Sequence, residues 1–152
     1  DAAKAVPQDK VDAIVEAVRM APTSSGTQPF ELIVVTNSQL RSKVAEAAGG
    51  QTPITDGSHL LVFAAWDNYT AERIDEVTPL NIDARGDIPL IHDYYNNLKS
   101  NYVPREAEVN YAHAARQAYI ALGIALVAAA EQEVAGLDAR IPYAAEGIPG
   151  AG

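Results

Sequence analysis

The sequence contains no cysteine, one tryptophan, one methionine and only three histidines among its 152 residues. Without cysteine there are no disulfides, thiolate nucleophiles or cysteine-ligated metals. His59, His92 and His113 show neither HxxxH nor HExxH spacing, so structural roles are favoured over a metal site. Basic residues are also scarce: 11 Lys and Arg stand against 20 Asp and Glu, for a formal net charge of −9. Nucleic acid and anionic membrane are therefore not expected as main partners, because binding phosphate requires clustered cations.

Several catalytic and targeting patterns are missing as well. The sequence has no GxGxxG or GxxxxGK[ST] motif, and neither Ser24 nor Ser25 lies in a GxSxG elbow. The first ten residues, DAAKAVPQDK, contain no apolar segment typical of a signal peptide. The longest apolar run, 118–130, is too short to cross a bilayer and predicts a buried helix. We therefore expect a cytoplasmic protein.

A folded domain is indicated by the 48% of hydrophobic residues and by their periodicity. Apolar side chains at i, i+3, i+4 and i+7 predict a first helix over Asp9–Met20. The β-branched stretch 30–36 predicts a strand, and the continuous apolar run 59–66 predicts a central strand covered on both faces. Residues 78–89 contain two prolines and a glycine and are expected to be irregular. Further helices are predicted from Asn37 or Ser38 to about Ala48, over Thr70–Val77 with Thr70 as cap, over Leu90–Tyr102, and from Pro104 to near Glu133.

The last of these helices is apolar on nearly all sides from Ala118 to Ala130 and is rich in small residues. Such a helix is buried all round, and a 152-residue monomer has little room for one. We interpret it as part of a subunit interface; the alternative is the central core helix of a monomer. Only two strands are evident, and residues 135–152 show little periodicity. Because two strands do not form a stable sheet alone, the chain is expected to be incomplete or to borrow structure from a partner.

One loop is unusual: residues 21–30 read APTSSGTQPF. A plain connection needs only about 2–6 residues. This segment is longer, small and polar, with many backbone N–H and hydroxyl donors. It is either an ordinary loop or a cradle for a phosphate or for the edge of a flavin.

Five segments together resemble the FMN-dependent nitroreductase family. They are VRMAPTSSGTQPFELIVVTN, LRSKVAEAA, ITDGSHLLVFAAW, TAERID and AARQAYIALGIALVAAAE, and the resemblance runs from Asp1 to about Val134. It implies a single domain over residues 1–152 with an α+β fold, in which a mostly antiparallel sheet is flanked by helices. It also implies an intertwined homodimer with two FMN sites at the dimer interface.

The resemblance implies a set of binding residues. The loop passes across the flavin, and Gln28 either anchors the loop or touches the cofactor. Gln51 hydrogen-bonds the pyrimidine edge of the flavin. Three tyrosines wall the substrate channel, with ordinary packing as the alternative. The implied residues are Pro22, Thr23, Ser24, Ser25, Gln28 and Gln51 for the cofactor, and Tyr94, Tyr95 and Tyr102 for the substrate.

The implied reaction needs no catalytic side chain. NAD(P)H reduces FMN and leaves, and a nitroaromatic or quinone then takes the electrons in a ping-pong exchange. The flavin carries the chemistry, while the protein supplies position, electrostatics and exclusion of water.

The sequence departs from the family pattern at both ends. Members carry an arginine-rich segment before the position of Asp1, a Pro-x-Glu-Gly-Phe turn after Val134, and a last strand and arm with basic residues. Glu146-Gly147 is a poor substitute for that turn. We expect either a truncated protein or, preferably, the ordered part of a longer chain. The alternatives in function are a non-catalytic dimeric relative, which has lost flavin or binds it only for storage, and a monomeric α/β binding domain with no flavin.

Overall fold

The computed structural model describes residues 5–134, and the described chain divides into two compact units. Helices predominate and accompany a small antiparallel sheet, which confirms the predicted α+β class. In chain order the elements are α1 (Gln8–Arg19), a single 3-10 turn (Ser24–Gly26), β1 (Phe30–Val35), α2 (Ser38–Ala47), α3 (Thr52–Asp56), β2 (Leu60–Ala65), α4 (Ala71–Arg85), α5 (Pro89–Tyr102) and α6 (Ala107–Glu131).

The first unit contains residues 5–21, 32–64 and 121–134. In α1 the periodic residues Val11, Ile14 and Val18 are buried, as their spacing predicts. Helix α2 begins after Asn37, whose side chain accepts a hydrogen bond from the Leu40 N–H at 2.9 Å. It ends before two glycines at 49 and 50 with φ of 77° and 76°, a conformation that side chains other than glycine disfavour. The sequence therefore predicts both ends of α2.

The sheet corrects one expectation. Strand β2 pairs with β1, and the described residues contain no third strand on its other edge. Of the residues of β2 only Phe63 is buried, and Ala64 is exposed. The prediction of a central strand covered on both faces is therefore wrong for the described chain. An apolar run in the sequence shows only that polar residues are absent. It does not show what covers each face of the strand.

The second unit contains residues 22–31 and 65–120, with α4 and α5 packed on a common core. Helix α4 continues to Arg85 through Pro79, so the expectation of an irregular segment is wrong over 78–85 and holds only for 86–88, between α4 and α5. A proline inside a helix removes one backbone hydrogen bond, but apolar residues on both sides of it pack into the core and offset that loss. The core contains Tyr69, Ile74, Val77, Ile91, Tyr95, Leu98 and Ala114, with Ala65, Trp66, Ile82 and Tyr102 packed against them.

Helix α6 begins three residues after Pro104 and ends at Glu131, close to the predicted bounds. By length and composition it could cross a membrane, but the core helix of a soluble protein passes the same test. One row of alanines is fully buried, whereas large apolar side chains on the same helix are exposed. The subunit-interface interpretation thus stays a prediction, and the expectations for residues 135–152, including Glu146-Gly147, lie outside the described residues. The exposed apolar residues of α6 are Val109, Tyr119, Ile120, Leu126 and Val127.

Candidate functional site

The loop between α1 and β1 has a strained backbone. Ser25 has φ 59° and ψ 9°, Gln28 has φ 41°, and Gly26 between them has φ 63°. Side chains other than glycine pay roughly 1–2 kcal/mol for this left-handed conformation. Such strain persists only where the surroundings hold the backbone firmly.

Hydrogen bonds inside the second unit hold the loop. Four backbone N–H groups of the loop donate hydrogen bonds to acceptors in the protein. Thr27 is buried, with 3% of its surface exposed. Most of the loop's N–H groups are therefore used, so the loop is a rigid support and not an open cradle for an anion. Among the described residues the Ser25 hydroxyl has no partner. The bonds run from Ser24 N to Gln117 Oε1 (2.8 Å), Gly26 N to Thr23 O (3.1 Å), Thr27 N to Ser24 O (3.3 Å) and Gln28 N to Thr23 Oγ1 (3.1 Å).

A cavity of about 380 Å³ opens beside this loop. The Tyr95 hydroxyl donates to the Ser25 carbonyl at 3.3 Å, and the Tyr94 and Tyr95 rings meet edge to face at 5.3 Å. The structure thus brings the predicted loop and two of the three predicted tyrosines together. The cavity is lined by Ser25, Gly26, Asn81, Arg85, Leu90, Ile91, Tyr94 and Tyr95. We call it the α4–α5 cavity.

The charge of the α4–α5 cavity is opposite to that of the whole chain. Its lining contains one cation, Arg85, and no carboxylate, although the formal net charge of the chain is −9. Burial raises the pKa of Tyr95, and the adjacent Tyr94 adds to that rise, while Arg85 opposes it. The Tyr95 hydroxyl therefore remains protonated near neutral pH and acts as a hydrogen-bond donor.

The family profile described as "Nitroreductase family" matches residues 1–138. The chain belongs to the nitroreductase family. It is 27% identical over 135 residues to a predicted NAD(P)H nitroreductase of Staphylococcus haemolyticus, covering 86% of this chain and 62% of that protein. A shorter match, 38% identical over 60 residues, covers 40% of this chain and 24% of a Bacillus subtilis protein named FMN reductase [NAD(P)H].

A solved structure supports the nitroreductase fold. The crystal structure of a predicted nitroreductase of Exiguobacterium sibiricum, in complex with FMN, superimposes with a TM-score of 0.67 at 16% identity. The match covers 85% of this chain and 62% of that one. This chain therefore spans less than two thirds of the length of these relatives.

Tyr102 does not line the α4–α5 cavity of this nitroreductase chain. Its ring lies 4.8 Å from the ring of Tyr69, and the Arg105 guanidinium lies 3.8 Å above its centre. This aromatic cluster packs against the core of the second unit. For Tyr102 the structure favours the packing alternative over a place at the cavity.

Gln51 lies in the first unit, immediately before α3. Its side-chain Nε2 donates to the Ala48 carbonyl at 3.1 Å and closes the turn between α2 and α3. Its amide oxygen has no partner among residues 5–134 and remains available to a ligand. The predicted flavin contact of Gln51 stays a prediction.

Outside the loop, the sequence patterns do not indicate five residues of the candidate site. Four line the cavity, and the fifth, Gln117, holds the loop from α6. Asn81 and Arg85 are spaced i, i+4, so continuing the α4 periodicity past Pro79 would place them on one helix face. No local pattern signals Gln117, because its role depends on a contact across 93 residues. The missed lining residues are Asn81, Arg85, Leu90 and Ile91.

A second cluster of polar side chains in the same unit does not line the cavity and is packed in the interior. Burial raises the pKa of Tyr69 to about 12 and lowers the pKa of His113, so both side chains are neutral when buried together. The Tyr69 hydroxyl and His113 Nδ1 are 3.0 Å apart. The fully buried Asn110 donates to Asn68 Oδ1 at 2.7 Å and to the Tyr102 carbonyl at 2.9 Å. This network ties α6 to the segment before α4 and has a structural role.

Proposed function

We propose that this protein is an FMN-dependent oxidoreductase that uses NAD(P)H to reduce nitroaromatics or quinones by ping-pong exchange. The observation that carries the proposal is a strained loop, fixed by Gln117, that places Ser25 against a cavity walled by Tyr94 and Tyr95. Membership of the nitroreductase family supports it. So do the relative named as an FMN reductase and the FMN-bound structural neighbour.

The residues of the loop fit the ring of a flavin. Their side chains are short, so a flat ring can approach the backbone closely, and the unpartnered Ser25 hydroxyl can meet a polar ring edge. We propose Gln28 as a further contact and the free amide oxygen of Gln51 as a partner for a ring N–H. When bound, FMN supplies the centre that accepts a hydride and passes electrons on. The proposed ring-lining residues are Pro22, Thr23, Ser24 and Ser25.

The residues of the protein itself would bind the substrate and form the dimer. Tyr94 and Tyr95 offer ring faces and edges on which a nicotinamide or a nitroaromatic ring can stack, and Tyr102 supports them through the core. The exposed apolar side chains of α6 favour a homodimer, because a large exposed apolar patch is typical of an interaction surface. We also propose a cytoplasmic location.

One observation favours a second function, that of a flavin-free dimeric relative. Among the described residues Arg85 is the only cation that lines the cavity beside the loop. A phosphate group is normally held by several charge-assisted hydrogen bonds. A chain with a single cation there would bind the FMN phosphate weakly, and it would keep the fold without the chemistry.

An absorption spectrum of the purified protein separates these functions. We expect a flavin band, present on isolation or after FMN is added and the excess removed, that bleaches when NADPH is added without oxygen. Subsequent addition of a quinone restores the band. A protein that stays colourless with added FMN contradicts the oxidoreductase and supports the flavin-free relative.

The loop can be tested in the same assay. Ser25→Ala removes only the hydroxyl, so we expect the Kd for FMN to rise by about three- to tenfold, the value of one lost hydrogen bond. Ser42→Ala on α2 is the matched control, since its hydroxyl bonds its own helix at the Ser38 carbonyl. Equal Kd values for the two variants would remove Ser25 from the flavin site.

A further inference from the structure

The α4–α5 cavity has a cation that no carboxylate of residues 5–134 pairs with. Arg85 ends helix α4, and among the described residues it makes no ion pair. The neighbouring carboxylate of Asp87 is paired with His92 at 2.5 Å, and neither Asp83 nor Asp87 lines the cavity. A guanidinium in a lining without carboxylates attracts anions, and its planar fork suits a carboxylate or a phosphate oxygen pair.

The other walls of the cavity are suited to a flat apolar body. Leu90 and Tyr94, at the rim of the cavity, are 72% and 47% exposed. Exposure of such large apolar side chains to water is unfavourable, so a ligand that covers them gains binding free energy. Ile91 and the Tyr95 ring continue this surface inward, where both are buried. The amide oxygen of Asn81 and the hydroxyl of Tyr95 each lie 4.0 Å from the position of a Cβ at Gly26 and add two polar groups to the lining. A ligand that covers the rim and reaches Arg85 would satisfy both features at once.

We propose that the α4–α5 cavity selects planar aromatic compounds that carry an anionic group, with Arg85 as the counter-ion of that group. The inference rests on the proposed function in one respect: the compound is an acceptor or donor of the flavin reaction. The anion is then either a carboxylate of the acceptor or a phosphate of the nicotinamide nucleotide. Arg85 is a specificity residue in both cases.

The first experiment measures binding without turnover. Calorimetric titration compares 1-naphthoate with the neutral 1-naphthalenemethanol, which has a similar ring and size. We expect naphthoate to bind more tightly, and Arg85→Gln to remove that preference by weakening naphthoate about three- to tenfold, as for a partly exposed charged pair. Lys43→Gln, which removes an exposed cation on α2 outside the cavity lining, is expected to change neither Kd.

The second experiment identifies the source of the anion in the FMN-loaded enzyme. If the acceptor carries it, Arg85→Gln lowers kcat/KM for 4-nitrobenzoate but not for 4-nitrobenzyl alcohol, and Arg85→Glu lowers it further. If the nucleotide carries it, the same variants raise the KM for NADPH and leave the ratio of the two acceptors unchanged. Either pattern supports the proposal and assigns the group.

The proposal is overturned if naphthoate binds no more tightly than the alcohol, or if Arg85→Gln weakens both compounds equally. A protein that binds naphthoate through Arg85 but never shows a flavin band refutes the proposed function and leaves the cavity assignment intact. If NADPH bleaches the flavin band but Arg85→Gln does not change the binding of naphthoate, the proposed function is supported and the cavity assignment is refuted.

Discussion

The two walls of the α4–α5 cavity are built in opposite ways. The loop wall is small, polar and fixed: Ser25 and Gly26 are held in left-handed conformations by hydrogen bonds to their neighbours and to Gln117. The helix wall is larger and more open: Leu90 is 72% exposed, and Asn81 and Arg85 stand beside the apolar side chains. A fixed wall suits a ligand that is always the same, and an open wall suits ligands that vary. The difference supports the proposal that the loop contacts the cofactor and that the helices contact the substrate.

The helix wall repeats this contrast within α4. Ile74 is fully buried in the core of the second unit, whereas Leu80, six residues later, is 70% exposed. The inner face of the helix packs into the core, and the outer face at Leu80 lies in water. Stability and specificity are therefore separable by mutation along one helix.

The largest effect is expected at the buried face of α4. Ile74→Ala removes a fully buried side chain and leaves a cavity, so unfolding in urea should require about 3 kcal/mol less free energy. Leu80→Ala on the same helix should change this free energy by less than about 0.5 kcal/mol, since the side chain is already in water. Similar losses for both would mean that Leu80 is covered in solution, as by a second subunit.

The next effect is expected at the support of the loop wall. Gln117→Leu keeps the side-chain volume but removes the acceptor of the Ser24 N–H, which should cost about 1–2 kcal/mol in unfolding free energy. Because the loop then loses its fixed conformation, the Kd for FMN should rise about tenfold, measured by flavin absorbance. Gln39→Leu, at an exposed position of α2, is the control and should leave the Kd unchanged. An unaltered Kd in Gln117→Leu would show that the loop is fixed by its internal bonds alone.

Local signals in the sequence accounted for most element boundaries. Asn37 and Thr70 cap their helices as predicted, because capping depends on a side chain and an N–H three residues away. The end of α4 was predicted too early because of Pro79. A proline in the sequence indicates a lost backbone hydrogen bond, but it does not indicate the packing of Ile74 and Ile82, which outweighs that loss.

The site was predictable only in part for the same reason. Composition and resemblance pointed to the loop and to Tyr94 and Tyr95, and the structure brings Ser25 and both tyrosines to one cavity. The anchoring Gln117 could not be identified, because it acts through a contact between elements distant in the chain. Arg85 is not indicated because Pro79 predicts an irregular segment where α4 continues. Tyr102 belongs to a different aromatic cluster, although it lies on the same helix as the other two tyrosines.

The smallest effect on stability is expected from the backbone strain at Ser25 in the loop wall. The test depends on whether the glycine or the alanine variant is the more stable. Ser25 has φ 59°, so a glycine there relieves a steric cost that an alanine retains. Ser25→Gly should therefore be more stable than Ser25→Ala by about 0.5–1 kcal/mol, measured by urea unfolding. At the adjacent Ser24, whose backbone is helical, the order should reverse, because glycine there only adds freedom to the unfolded chain. If glycine were the less stable variant at both positions, the loop would not hold Ser25 in its left-handed conformation in solution. The contrast between a fixed wall and an open wall would then fail.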